Sequence, residues 1–127
     1  MRGAMSAAEL VRRLYKAYGA RDWDSAAARV HEDAVLEMPA TRERLHGRDG
    51  VIGFQRAYPE PWGDLSVLRV VGEGDTAAAE IEVVAPDATF RMAAFWRRED
   101  GLLRDGVEYW ITVGGDEPPP TREHAPG

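Results

Sequence analysis

Phe95-Trp96-Arg97-Arg98-Glu99-Asp100-Gly101-Leu102-Leu103-Arg104-Asp105-Gly106-Val107-Glu108-Tyr109-Trp110 is the stretch on which the fold turns. It reads as two strands joined by the turn Glu99-Asp100-Gly101, with glycine where the backbone needs special geometry. Outward from that turn the strands are predicted over Thr89 to Arg98 and Leu102 to Val113. Two more precede them, Leu65 to Val71 and Thr76 to Ala85, separated by Gly72-Glu73-Gly74-Asp75 and followed by Pro86-Asp87. Together they form an antiparallel meander.

Further toward the N-terminus the period becomes helical. Ser6-Ala7-Ala8-Glu9 has the form of a capping box, and Leu10, Val11, Leu14, Tyr15 and Tyr18 recur on one helical face. A first helix is predicted from about Ser6 to Tyr18, with Gly19 in the left-handed position that ends it. Asp22 or Asp24 caps a second helix, whose apolar side is Trp23, Ala26, Ala27 and Val30 and which should end near His31-Glu32-Asp33. Ala34 to Met38 is a short strand closed by Pro39, and Ala40 to Gly47 is a polar loop. Asp49 caps a third helix with Val51, Phe54, Gln55 and Tyr58 along one side, stopped by Pro59 and Pro61. Helices segregated from strands define an α+β domain with its helices on one sheet face.

The chain of 127 residues suits one domain, and 44% hydrophobic residues with four Trp, four Tyr and three Phe suffice for a core. A net charge of −6, with arginines alternating with acids, disfavours nucleic acid as a partner. With no cysteine, disulfides, thiolate chemistry and cysteine-based zinc sites are excluded. No apolar run approaches the roughly 20 residues of a membrane span, and the N-terminus does not have the form of a signal peptide. A cytoplasmic protein with no membrane partner is the resulting expectation. From Gly114 the chain is a proline-rich tail containing Pro118 to Pro120, expected to be extended.

The order of these elements resembles the nuclear transport factor 2-like superfamily and its SnoaL-like domains. "LYKAYGARDWDSAAARVHEDAVLEMP" (14–39) is similar to that superfamily's opening, "LHGRDGVIGF" (45–54) to its third helix, and "FWRREDGLLRDGVEYW" (95–110) to its closing hairpin. The resemblance covers about residues 6 to 113. It implies a cone-shaped α+β roll, with three N-terminal helices on a curved, mostly antiparallel sheet that encloses a cavity. It implies a single SnoaL-like domain over 1–113 with the tail 114–127 outside it, and a homodimer, which the outward apolar set Val107, Tyr109 and Ile111 supports. Family functions are diverse, so fold alone does not settle this one. Ketosteroid isomerases place a tyrosine donor, an aspartate base and a second acidic donor where this chain has Leu14, Met38 and Ala94, so the isomerase machinery is missing. The Asp-Arg-Asp relay of limonene-type epoxide hydrolases has no convincing counterpart, since alternation turns Arg91 away from Glu80 and Glu108. In role, Glu108 comes nearest to the acidic residue of the SnoaL-type polyketide cyclases.

Strand residues alternate faces. If Phe90, Met92, Ala94 and Trp96 face the cavity together with Gly106, Glu108 and Trp110, then Glu108 sits among Met92, Trp96 and Trp110. Desolvation would raise its pKa toward the range of a general acid or base. The competing reading puts Glu108 at a strand edge or beside Arg104. Glu80 and Glu82 share one face, either solvated or with Glu80 in the cavity. Glu108, His46 and Tyr15 are the catalytic candidates. Tyr18, Met38, Phe54, Tyr58, Trp62, Glu80, Phe90, Met92, Trp96 and Trp110 are the candidates for substrate contact, with Tyr58 to Trp62 as a lid. His31 is read as a helix-end residue. The three histidines have no metal-ligand spacing, so no metal and no cofactor are expected. The resulting expectation is a pocket for a small apolar oxygenated molecule, with cofactor-free isomerisation, cyclisation or dehydration as its chemistry. A non-catalytic binding module and a ligand-free dimerising scaffold are the alternatives.

Overall fold

The computed structural model describes residues 5–57 and 63–122. Among them lie the helices α1 (Ala7–Ala20), α2 (Trp23–Ala27) and α3 (Gly47–Arg56). The strands are β1 (Val30–Met38), β2 (Glu43–His46), β3 (Asp64–Glu73), β4 (Thr76–Val84), β5 (Thr89–Glu99) and β6 (Leu102–Thr112). They form one sheet in the order β2-β1-β6-β5-β4-β3, antiparallel throughout except for the parallel β1–β6 pair. The sheet is curved and unclosed, and α1 and α3 pack on its inner face.

α1 starts as its capping box requires. Ser6 Oγ accepts from the Glu9 amide at 3.1 Å, and the Glu9 carboxylate accepts from the Ser6 amide at 3.5 Å. Leu10, Val11, Leu14, Tyr15 and Tyr18 are buried along its inner stripe. The helix ends two residues later than the sequence suggests, and the left-handed position belongs to Arg21 (φ 59°) rather than Gly19. The Arg21 guanidinium donates to the carbonyls of Tyr18 and Gly19 and, at 3.0 Å, to Gly63. These bonds hold a non-glycine residue in the left-handed region and place a cation at the negative end of the helix.

α2 is capped by Asp22, whose side chain accepts from the Ser25 amide at 3.1 Å, but it ends at Ala27. Val30 and His31 therefore open β1 instead of closing a helix. The cause is tertiary: Leu103 donates its amide to Arg29 O at 2.9 Å, and Val30 pairs with Leu103 across the parallel ladder. β2 replaces the middle of the expected polar loop. Its residues are largely exposed and show no apolar period, so only the pairing of Glu43–His46 with β1 makes them a strand. α3 begins at Gly47 (φ 77°) with His46 in the cap position and no side-chain cap, two residues ahead of Asp49. The lid residues Tyr58 to Trp62 lie outside the described residues.

The closing hairpin turns through Asp100 (φ 54°) and Gly101 (φ 76°), between the paired residues Glu99 and Leu102. Two positive-φ residues in a row are the signature of a type I′ turn. One bulge then changes everything beyond it. Arg98 pairs with Leu103 but Arg97 pairs with Asp105, which leaves Arg104 as the extra residue on β6. The alternation of β6 shifts by one, so Leu103 and Glu108 point to the same inner face although the even number of residues between them would place them on opposite faces. Among the described residues no helix is long and apolar enough to cross a membrane. Residues 114–122 form no strand or helix and are exposed.

Candidate functional site

Below the open end of the sheet lies a buried polar cluster. Glu108, 1% exposed, stands opposite Ala94 on the inner face. The Tyr15 hydroxyl donates to its Oε2 at 2.7 Å and the Trp110 indole to its Oε1 at 3.2 Å. Trp96 Nε1 in turn donates to the Tyr15 oxygen at 2.8 Å. Gly106 makes this reach possible, because a Cβ there would come within 2.7 Å of three Trp96 ring carbons. The indole lies against the bare glycine backbone with its N–H aimed at Tyr15.

The electrostatics follow from burial. Desolvation raises the pKa of Glu108, and its hydrogen bonds from Tyr15 and Trp110 hold part of that rise back. Burial, and then the Glu108 charge, drive Tyr15 and Tyr18 well above the ordinary tyrosine value. The two rings meet edge to face at 5.5 Å, and the Tyr18 hydroxyl has no hydrogen-bond partner among the described residues.

Next to this cluster a cavity of about 280 Å³ opens between the end of α3, the end of β1 and strands β4 to β6. Its wall is Met38, Phe54, Val83, Phe90, Trp110 and Ile111, with Gln55 among them and Ala40, Thr41, Glu43 and Thr112 also on its lining. Trp110 belongs to both regions: it lines the cavity while its N–H is bonded to Glu108. Glu108 itself is not part of the wall.

The structure thus gathers Met38, Phe54, Phe90 and Trp110 at the cavity. Tyr15, Tyr18, Met92 and Trp96 are buried in the core beneath it. Three placements correct the sequence reading. Glu80 does not face the cavity: it ion-pairs with Arg69 at 3.2 Å and Arg91 at 3.3 Å on the outer face, where Arg91 also holds Glu82 at 2.8 Å. Arg91 and Glu80 therefore share a face, and neither approaches Glu108. His46 is exposed on β2, opposite Val35, and does not meet Glu108. His31 sits on β1, where its Nδ1 accepts from the Asp33 amide at 3.0 Å. Tyr58 and Trp62 lie outside the described residues. Gln55 is a cavity residue that the sequence reading placed only on the apolar side of α3; its polarity within that stripe was the available signal.

One cluster of metal-ligand type occurs among the described residues, His31 with Glu99 and Asp100, their donor atoms within 4.8 Å of one another. Glu99 is already engaged by Arg97 and Arg104, and the two carboxylates are exposed. Across the outer face runs a second, larger hollow of about 620 Å³. Phe95, Val71, Val107 and Ala78 lie along it, as do Glu37, Arg44, Arg97 and Asp105.

Three helices on a curved, mostly antiparallel sheet with a pocket at its open end define a small α+β pocket protein. The chain belongs to the SnoaL-like domain family, whose model matches residues 11–106. It is similar to a Kribbella flavida protein provisionally assigned as a ketosteroid isomerase, at 30% identity and a TM-score of 0.84 over 95% of this chain and 90% of that one. An NTF-2 like protein of unknown function from Burkholderia xenovorans matches at 20% identity and a TM-score of 0.75 over 90% and 88%. An LEH-like epoxide hydrolase from M. tuberculosis matches at 18% identity and 0.71 over 85% and 84%. The last two likenesses concern the fold alone. No curated protein matches by sequence. At the three isomerase positions Leu14, Met38 and Ala94 are buried apolar residues.

Proposed function

We propose that this protein binds a small, mostly apolar molecule carrying an uncharged oxygen group in the cavity between α3 and the sheet. The carrying observation is the composition of the wall: among the described residues it has three aromatic rings, Phe54, Phe90 and Trp110, with Met38 and Val83 and no cation. A volume of about 280 Å³ stands at the lower end of ligand sites, so the ligand is small. Glu108 is separated from the cavity by Trp110, and its role in this reading is to fix the orientation of that ring.

A second reading, acid–base catalysis by Glu108, draws on its raised pKa and its position directly behind Trp110. It requires Trp110 to swing aside, since a general base must come within hydrogen-bond reach of its proton. One experiment separates the two. Titrating the protein with 2-indanone in D2O, followed by NMR, reports both binding and exchange of the ligand's α-protons. Saturable binding without accelerated exchange supports the binding module. Accelerated exchange that Glu108→Gln abolishes supports catalysis, and no binding at all overturns both.

We also propose a homodimer formed through the outer face. Phe95 and Tyr109, which meet edge to face at 6.1 Å, are half-exposed there, and Ile111 is 60% exposed. Both charge signs border the hollow, which suits a surface that must complement itself. Light scattering should give about twice the chain mass of 14.1 kDa. Phe95→Glu should reduce it to one chain, and a wild-type mass of one chain would end the proposal.

A further inference from the structure

Among the described residues, apart from the aromatic side chains of the core, two polar or charged side chains are buried, Glu108 and Gln55. The first is satisfied by Tyr15 and Trp110. Gln55, 5% exposed on the inner side of α3, lines the cavity, and its side chain, unlike its backbone carbonyl, has no hydrogen bond to a described residue. The buried side-chain atoms left without a partner among the described residues are Tyr18 Oη and Arg29 Nε and not the Gln55 amide, so that amide opens onto the cavity it lines, with no protein partner there. Neighbours on the same helix, Val51 and Ile52, follow the apolar pattern, so helix packing gives no reason for an amide here.

We infer that Gln55 is the specificity-determining group of this cavity. It selects a neutral ligand that presents a carbonyl acceptor and an N–H or O–H donor side by side, as a cyclic amide does. The inference rests on the pocket reading given above and adds the chemistry of its ligand. A glutamine amide offers two donors and one carbonyl acceptor and carries no charge, so its complement is a group with both functions. Among the described residues the cavity's only charged lining residue is Glu43, exposed at the rim and hydrogen-bonded to Thr41 at 2.6 Å. A negative rim with no cation among the described lining residues opposes an anionic ligand. The apolar wall accepts the rest of the molecule, and Gln55 orients it, the usual division of labour in a small-molecule site.

The test is a pair of probes of one shape, indane and oxindole, titrated by NMR into the full chain as wild type, Gln55→Leu and Gln55→Met. Oxindole carries the cyclic amide and indane lacks it. Losing the amide should weaken oxindole roughly tenfold, the equivalent of one or two modest hydrogen bonds. Indane should bind the variants as well as the wild type or better. Equal change for both probes in both variants overturns the inference while leaving the apolar pocket in place, since Gln55 would then serve packing or hold only water. If neither probe binds the wild type, the pocket reading itself falls and takes this inference with it. Two apolar replacements of different shape keep the comparison available if one fails to fold.

Discussion

The Tyr15 hydroxyl and the Glu108 carboxylate, ninety-three residues apart in the chain, meet at 2.7 Å in a fully buried site. The bond ties the first helix to the last strand, and Trp96 and Trp110 complete its surroundings. Around the carboxylate, burial favours the protonated form while every hydrogen-bond donor favours the ionised one. The net balance lies with burial, so Glu108 holds its proton to higher pH in the folded chain than in the unfolded chain.

That imbalance sets a pH dependence. A group whose folded pKa is raised stabilises the fold fully below its unfolded value, about 4.3 for glutamate, and loses that contribution as pH rises through the folded pKa. Wild type should therefore lose stability relative to Glu108→Gln over this window, and the difference should level off above it. The variant amide turns an NH2 toward a donor, so at low pH it should be about 1–3 kcal/mol less stable. Urea unfolding of both proteins between pH 4 and 8 measures this. A difference independent of pH would mean that Glu108 titrates alike in both states.

Gly106→Ala should be among the most damaging small substitutions in the chain. Its Cβ would press on three Trp96 ring carbons at 2.7 Å. Overpacking of this kind typically costs 1–3 kcal/mol. Displacing Trp96 would also break its bond to Tyr15, so near-UV circular dichroism should change along with the melting temperature. An unchanged tryptophan signal would contradict this account.

Tyr18→Phe should be neutral or stabilising by up to about 1 kcal/mol, because the hydroxyl is buried without a partner among the described residues. Thermal melting decides it. A loss above about 1 kcal/mol would reveal a buried water bonded to that hydroxyl.

Ser6→Ala should cost about 1 kcal/mol, since it removes the hydroxyl that accepts the Glu9 amide. Amide hydrogen exchange should localise the loss to the first turn of α1. Protection unchanged at residues 7–10 would show that the Glu9 side chain caps the helix unaided.

The parts of this protein that the sequence determines are those governed by local rules. The Ser6–Glu9 box, the cap of the second helix by one of Asp22 and Asp24, and the Asp100-Gly101 turn each depend on residues within a few positions of one another, and all three stand in the structure, the cap with Asp22. The long strands β3 to β6 and the inner stripe of α1 follow from apolar periods of two and of three to four residues. Tertiary structure decided the rest, because the deciding contacts lie far along the chain. β2 carries no apolar period and exists through its pairing with β1. Val30 left the second helix for a strand because β6 offered it a parallel partner at Leu103. Gln55 reads as one more residue on the side of a helix, and only the packing of α3 against the sheet turns it into a largely buried residue at a cavity wall. Glu108 depends on both levels. Alternation places it with Gly106 and Trp110, but which face that set occupies relative to Leu103 was fixed by a single extra residue, Arg104, in the ladder. A one-residue bulge inverts every side chain beyond it, and its position is set by the partner strand.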